Sequence, residues 1–424
     1  MNIRPTTILL MLVAAVAVGA ENRATGDKAT GDKATDKQAV RIVVGFEGSC
    51  PRSLKGVKRE GPNRFRIFPS WRSSPGIGED AVGRSTSLGF KVVNTGPSAQ
   101  PVELLIDWQY HDAPSKGVPR FAGGVDEYMS YRDFVVVRGP GEKSWRTVMV
   151  DVDDSVGELR LNVATGETEI HWHPPYTYTQ SEKFVDSLRK HPLVRVEDLG
   201  KSKEGRIIRL LRITDDSPRA KKPVLIHTRL HAYESASSYV MEGMVGWLLS
   251  GEPYAAEAVR EYVFHVYPMM NPDGVFNGLG KHNAPAGNDL QFLDPELCPE
   301  QRVIKETIDR VRPVVFIDLH NWQNKHTDGL LYLEPALRER FMRYMPDQLA
   351  FGKKWVFRDL APLPEPPAAR EVARRYCRRM LDPVMVTFEF PWFGRTTDDM
   401  RATGRKAIWA LLRALDEPAS RGTR

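Results

Sequence analysis

Apolar residues follow two different rhythms along this chain. From Val40 to about Trp172 they come in short runs, often alternating with polar residues, and turns rich in Gly and Pro separate the runs. VRIVVGF, RFRIF, SLGFKVVN, VELLIDWQY, DFVVVRG, WRTVMVDV and GELRLNVA read as strands. Alternation suits a pleated strand with one buried face, and a series of short strands between turn signals predicts a β-sandwich. From Tyr178 onward strands alternate with helices. GRIIRLLRIT, PVLIHTRL and EYVFHVYPMM read as strands. Glu234 to Leu249 reads as an amphipathic helix, and PEQRVIKETIDRVR as a second one opened by Pro299, where a missing N–H costs nothing. VVFIDLH and VMVTFEF are almost continuously apolar, as expected of strands covered on both faces. DDMRATGRKAIWALLRAL closes the chain as an amphipathic helix. The predicted fold class is α/β, a mixed central sheet flanked by helices, preceded by an all-β sandwich domain.

The chain opens differently. Arg4, the apolar run Ile8 to Val18 and the small residues Val18-Gly19-Ala20 have the layout of an export signal over residues 1–20. The run is short for a membrane span, so stable membrane insertion is not expected. ATGDKATGDKATDKQ repeats a polar unit with almost nothing to bury, so residues 21–39 read as a disordered linker. The expected organisation is then a sandwich over residues 40–172 and an α/β domain over residues 173–418. An exported protein, periplasmic or secreted, follows from the signal.

Composition changes this picture little. The 424 residues are enough for two domains, and an apolar fraction of 41% is that of a soluble globular protein. The formal charge of +6 is spread along the chain, without a nucleic-acid-binding motif. No nucleic-acid partner is expected, and the basic balance points only toward anionic surfaces or acidic substrates. Cys50, Cys298 and Cys377 are too few and too scattered for a disulfide framework. Oligomeric state is not legible.

The chemistry concentrates at strand ends. His231 ends one strand, and Glu234 follows it where the helix begins. His320 ends a second buried strand with Asp318 just before it, and Glu389 sits in a third. Zinc favours imidazole nitrogen and carboxylate oxygen, and a catalytic zinc takes three protein ligands with an open fourth position. Sites in open α/β sheets form at the carboxyl ends of strands. If these strands are parallel neighbours, the four residues converge, with two His and one Glu for zinc and the second Glu left as a base. His171 and His173 share a face of one extended segment, but no third ligand stands near them. His227 shares the parity of His231 deeper in its strand and reads as a core histidine.

With these residues in view, the sequence resembles the zinc metallocarboxypeptidases, most closely the cytosolic-carboxypeptidase-like branch, which joins an N-terminal β-sandwich to the peptidase domain. HWHPPYTY, RLHAYESASSYVMEG, YPMMNPDGVFNG, IDLH and VTFE carry the resemblance in order. It implies a zinc carboxypeptidase-like fold, one zinc ion held by His231, Glu234 and His320, Glu389 as general base, and peptide or protein C-termini as substrate. Acidic side-chain removal is a theme of that branch, but on intracellular targets that an exported protein would not meet.

The sequence departs from that family at the substrate anchor. Gln291 and Phe292, in GNDLQFLD, stand where an Asn-Arg pair is expected. Arg offers a planar fork that matches a carboxylate, and Phe offers none. Lys281, or His282 beside it, replaces the Arg expected near the scissile carbonyl, so Lys281 is the candidate oxyanion partner. Arg395 is the candidate substitute anchor, against the plainer reading of an exposed loop arginine. Three readings stay open: a carboxypeptidase with a rearranged anchor, a zinc hydrolase of another amide or ester, and a non-enzymatic protein that kept the zinc site.

Overall fold

The computed structural model describes residues 39–69, 87–108, 132–153, 156–283, 287–294, 296–322, 325–346, 354–365, 367 and 370–417. The expected export signal and nearly all of the expected linker lie outside the described residues. Gln38–Arg424 forms one compact unit.

Among the described residues ten strands come first: β1 (Val40–Val43), β2 (Val57–Arg59), β3 (Arg64–Ile67), β4 (Gly89–Asn94), β5 (Gln100–Asp107), β6 (Phe134–Arg138), β7 (Arg146–Met149), β8 (Asp151–Asp153), β9 (Val156–Val163) and β10 (Gly166–His171). They build two five-stranded sheets, ordered β1-β4-β10-β6-β7 and β2-β3-β5-β9-β8. Val92, Val137 and Ile170 of the first sheet and Ile67, Leu104 and Leu159 of the second meet in one core. WRTVMVDV, expected as one strand, is two, and its halves belong to different sheets. Val150 between them is buried, so the break turns one apolar side chain inward while the chain changes sheet.

The second part holds β11 (Val194–Lys201), β12 (Ile207–Ile213), β13 (Lys222–Thr228), β14 (Tyr262–Val266), β15 (Phe292–Leu293), β16 (Val315–His320), β17 (Thr327–Leu331), β18 (Lys354–Arg358), β19 (Glu371–Val372) and β20 (Val384–Glu389). Its helices are α1 (Tyr178–Leu188), α2 (Ser235–Leu248), α3 (Pro253–Glu261), α4 (Pro272–Phe276), α5 (Pro299–Val311), α6 (Pro335–Tyr344), α7 (Ala373–Leu381) and α8 (Thr397–Asp416). Eight strands form a mixed sheet ordered β11-β12-β14-β13-β16-β20-β17-β18. Its centre, β14-β13-β16-β20, is parallel throughout.

Strand parity explains the apolar runs of the centre. Ile226, Ile317 and Val386 face a core that includes Val245 of α2, Phe341 of α6 and Leu411 of α8. Leu225, Phe316 and Met385 face the opposite core, with Ile304 of α5 and Cys377 of α7. Both faces are covered, so neither parity can be polar along most of the strand. α2 and α8 cross so closely that a Cβ on Gly404 would fall 1.9 Å from the Val240 carbonyl oxygen.

The Arg- and Pro-rich stretch from Arg338 to Arg379 contains the rest of α6, most of α7 and the short strands β18 and β19. β18 is the outer strand of the mixed sheet. The three cysteines are free, Cys50 and Cys377 buried. Among the described residues no helix is long and apolar enough to cross a membrane.

Candidate active site

The parallel centre brings several strands to one edge. β13 ends at Thr228, and Arg229 takes a left-handed conformation, φ 61°, that turns the chain away from the strand. Its buried guanidinium holds the turn from inside. Nη1 donates to the Tyr176 carbonyl (3.1 Å) and Ser238 Oγ (3.2 Å), and Nη2 to the Ala232 carbonyl (2.5 Å). The turn presents His231, and Glu234 is the N-cap residue of α2. β16 ends on His320, and its register partner in β20 is Glu389, the last residue of that strand.

His231, Glu234 and His320 offer ligand atoms that all lie within 4.8 Å of one another. His231 Nδ1 is 2.7 Å from Glu234 Oε1, and His320 Nδ1 is 2.8 Å from Oε2 of the same carboxylate. Behind the rings stand two more carboxylates. His231 Nε2 lies 3.3 Å from Asp289 Oδ1, and His320 Nε2 lies 3.2 Å from Asp318 Oδ2. The donor set fits zinc, with two imidazoles and a carboxylate converging and each imidazole oriented by a carboxylate on its far nitrogen.

The electrostatics follow from burying so many charges together. Burial works against a charged His320, but Asp318 and Glu234 outweigh it and hold its pKa well above the ordinary value. His231 is raised in the same way, burial opposing and Glu234 and Asp289 prevailing. Burial would raise Glu234, yet the two imidazoles pull it far below the usual carboxylate range. Glu389 goes the other way. Burial pushes it up to about 7, the neighbouring Glu234 charge adds to the shift, and His320, His231 and Lys281 oppose it. Its Oε2 is sealed from solvent without a hydrogen-bond partner.

Room for Glu389 comes from the other side of β20. Gly329 of β17 is its register partner there, and a Cβ on Gly329 would fall 2.7 Å from the Glu389 Cβ. Lys281 lies close enough for its charge to act on His231, Asp289 and Glu389. His282 is buried, and burial lowers its pKa to about 4, so it carries no charge at neutral pH.

Two expected residues go elsewhere. Arg395 is buried, and both ends of its guanidinium bind Asp328, Nη1 to Oδ1 at 2.6 Å and Nη2 to Oδ2 at 2.7 Å. A fork already matched to one carboxylate is not free for a substrate's, and the plainer reading of an exposed arginine fails as well. Gln291 turns back on Asp289, donating from Nε2 to Oδ2 (3.1 Å) and from its backbone N–H to Oδ1 (3.2 Å). It steadies the carboxylate behind His231 instead of facing an open pocket. Phe292 pairs with Val372, and the Arg370 guanidinium lies 4.3 Å from its ring centroid.

Sequence reasoning gave Asp289 no role, although it lies in the quoted segment GNDLQFLD. The signal was its place two residues before the expected anchor. Tyr233 was also passed over. His171 and His173 join no metal cluster among the described residues. His173 stacks on Trp172 at 4.6 Å, and His171 lies 3.7 Å from Glu169. His227 is fully buried against Phe316 and Tyr267.

Residues 181–284 match the zinc carboxypeptidase family. Human cytosolic carboxypeptidase 6 is 42% identical over 131 residues, 28% of this chain and 25% of that protein. Cytosolic carboxypeptidase 2 of Macaca fascicularis is 31% identical over 173 residues, 37% of this chain and 20% of that protein. The chain thus spans about a fifth to a quarter of the length of these relatives. Among solved structures, the metallo-carboxypeptidase of Burkholderia cenocepacia superposes with a TM-score of 0.70 at 20% identity, over 89% of this chain and 99% of that one. The metallo-carboxypeptidase of Pseudomonas aeruginosa gives 0.68 at 18% identity, over 88% and 98%. The α/β architecture with its mixed sheet is that fold. The expectation of an exported protein is overturned here, because the curated relatives are named cytosolic carboxypeptidases.

Proposed function

We propose that this protein is a zinc metallocarboxypeptidase that hydrolyses the C-terminal amide bond of a peptide or protein, organised as a sandwich over residues 40–172 and a catalytic domain over residues 173–418. The observation that carries the reading is the convergence of His231, Glu234 and His320 beside a register-paired Glu389. His231, Glu234 and His320 would hold one zinc ion, which would supply polarisation of the scissile carbonyl and a more acidic attacking water.

The protein's own groups do the rest. A carboxyl poised near neutrality suits a group that must take a proton and return it. Glu389 accepts the proton of the attacking water at its carboxylate and passes it to the leaving amine. Lys281 supplies a point charge toward the developing oxyanion. Asp289 and Asp318 keep the two imidazoles oriented.

The anchor is the weak point, and it favours one alternative. With Phe292 in place of a cation and Gln291 turned to Asp289, a substrate without a free carboxylate fits the same catalytic groups. The Glu389 carboxyl argues against a purely binding role, which needs no base there. Removal of acidic residues regains its place once export is set aside. Arg374, part-buried, donates to Tyr332 Oη at 3.2 Å, and its charge acts on Asp318. It is a cation within electrostatic reach of the site.

The test is to incubate zinc-loaded protein with a peptide mixture, half free and half amidated at the C-terminus, and to read products by mass spectrometry. Loss of single residues from free peptides alone supports the carboxypeptidase, with Glu- and Asp-ended peptides expected to lead. Equal cleavage of amidated peptides transfers the reading to the other amide or ester hydrolase. Cleavage of neither sinks both peptide readings.

A further inference from the structure

Between the two candidate zinc ligands of the first loop lies a residue that belongs to another core. Tyr233 packs among the buried side chains of the sandwich, with Trp108, Ile170 and Trp172. Its ring stacks on Trp172, centroids 5.6 Å apart and planes within 11°. Its other neighbour in parallel orientation is His231, at 6.4 Å and 11°. The backbone of the same residue ties down two more pieces. Its N–H donates to the carbonyl of Gly280, the residue before Lys281, at 3.1 Å. Its carbonyl lies 3.4 Å from Nδ1 of His173.

We infer that Tyr233 is a positioning residue: through it the sandwich core sets the His231–Glu234 loop and the Lys281 turn in their working geometry. The inference rests on the reading of His231 and Glu234 as zinc ligands.

The physical argument is one of loop freedom. The residues between β13 and α2 have no strand ladder, so their shape depends on what they bind. Arg229 fixes the inner side of the loop, and Tyr233 fixes the outer side by burying a large aromatic ring in a neighbouring core. A small cavity of about 40 Å³ lies behind the loop, bordered by His173, Arg229, Ala232 and Tyr233 among others. Without the ring the loop can relax into that space, and His231 loses its alignment. The sandwich braces this region from a second side, where Gly48 N–H donates to the Phe276 carbonyl at 2.9 Å. There Gly278, at φ 66°, lies so close that a Cβ would fall 2.2 Å from the Ser49 carbonyl oxygen.

The experiment uses the full chain, with zinc affinity measured by competition with a chromogenic chelator and kcat and KM measured at saturating zinc. Tyr233→Leu is expected to weaken zinc binding about 10–100-fold, the range seen when groups supporting a metal ligand are lost. It should also lower kcat with little change in KM, while Tyr233→Phe restores both. Trp172→Phe, which shrinks the platform from the sandwich side, should weaken zinc binding several-fold in the same direction. Far-UV circular dichroism and thermal melts establish that each variant is folded. A folded Tyr233→Leu, or if that fails to fold a folded Trp172→Phe, with wild-type zinc affinity and kcat overturns the inference. Wild-type protein that binds no zinc refutes the metal reading itself, so the two failures are distinguishable.

Discussion

His320 and Glu389 are register partners on neighbouring parallel strands, at the edge where both strands end. Their separation is therefore set by the sheet ladder and not by a loop. Of the groups around the proposed zinc, Glu389 alone among the carboxylates is shifted toward neutrality. Glu389→Gln keeps the shape and removes the proton acceptor. It should retain zinc and lose about 10²–10⁴-fold in kcat. Unchanged hydrolysis by a zinc-loaded Glu389→Gln protein would sink the mechanism.

The same carboxyl makes the stability of the metal-free protein depend on pH. Its folded pKa, about 7, lies above its ordinary value of 4.5, so the folded state holds the proton more tightly than the unfolded chain. Its contribution to stability then falls as pH rises from about 4.5 through about 7. His320, also raised, contributes stability that is present below its unfolded value of 6.5 and lost as pH rises through its folded value. Both groups tilt the curve the same way. Buried His173, His227, His265 and His282, whose pKa values burial lowers, tilt the curve the other way, so the Glu389 contribution is read as a difference: in chemical denaturation of chelator-treated protein, Glu389→Gln should gain stability relative to wild type as pH rises from about 4.5 through about 7. Activity runs opposite, falling toward acid as Glu389 becomes protonated.

Asp289 and Asp318 each hold the far nitrogen of one imidazole. Asp289→Asn and Asp318→Asn preserve size while weakening that hold. Each should reduce zinc affinity about 10–100-fold, measured by chelator competition. Zinc uptake should also release protons, since raised imidazoles must become neutral to bind metal, and calorimetry in buffers of different ionisation enthalpy counts them.

Gly329→Ala places a methyl group against Glu389 without touching any candidate ligand. Displacing a catalytic group by about an ångström can cost on the order of 10²-fold in rate. We expect kcat to drop on that scale while zinc affinity stays at the wild-type value. A fall in zinc affinity instead would mean that the strand pair shifts as a whole.

Arg395→Ala distinguishes an anchor from a structural pair. The Arg395 side chain is fully buried, and its Asp328 partner is 2% exposed. Removing the cation leaves a buried carboxylate unpaired, which costs about 3–5 kcal/mol. The expected result is a lower midpoint in urea with KM unchanged for whatever remains folded. A raised KM at wild-type stability would restore Arg395 as the substrate anchor.

What the sequence determined by itself was local and periodic. Apolar runs bounded by turns marked the strands, and a histidine or glutamate at the end of such a run marked His231, His320 and Glu389, because charge in a buried strand is costly without a use. What it could not decide was which strands are neighbours and where long side chains go. Pairing of β16 with β13 and β20 joins residues far apart in the chain, and that pairing alone makes His320 face Glu389. Arg395 and Gln291 have the same composition whether they meet a substrate or a carboxylate of the protein, and only the packing of β17 and of the 289–291 turn chose the latter. Tyr233 reads as one more apolar residue in a loop. Its attachment to the sandwich core arises because two parts of the chain dock there, which no local pattern records.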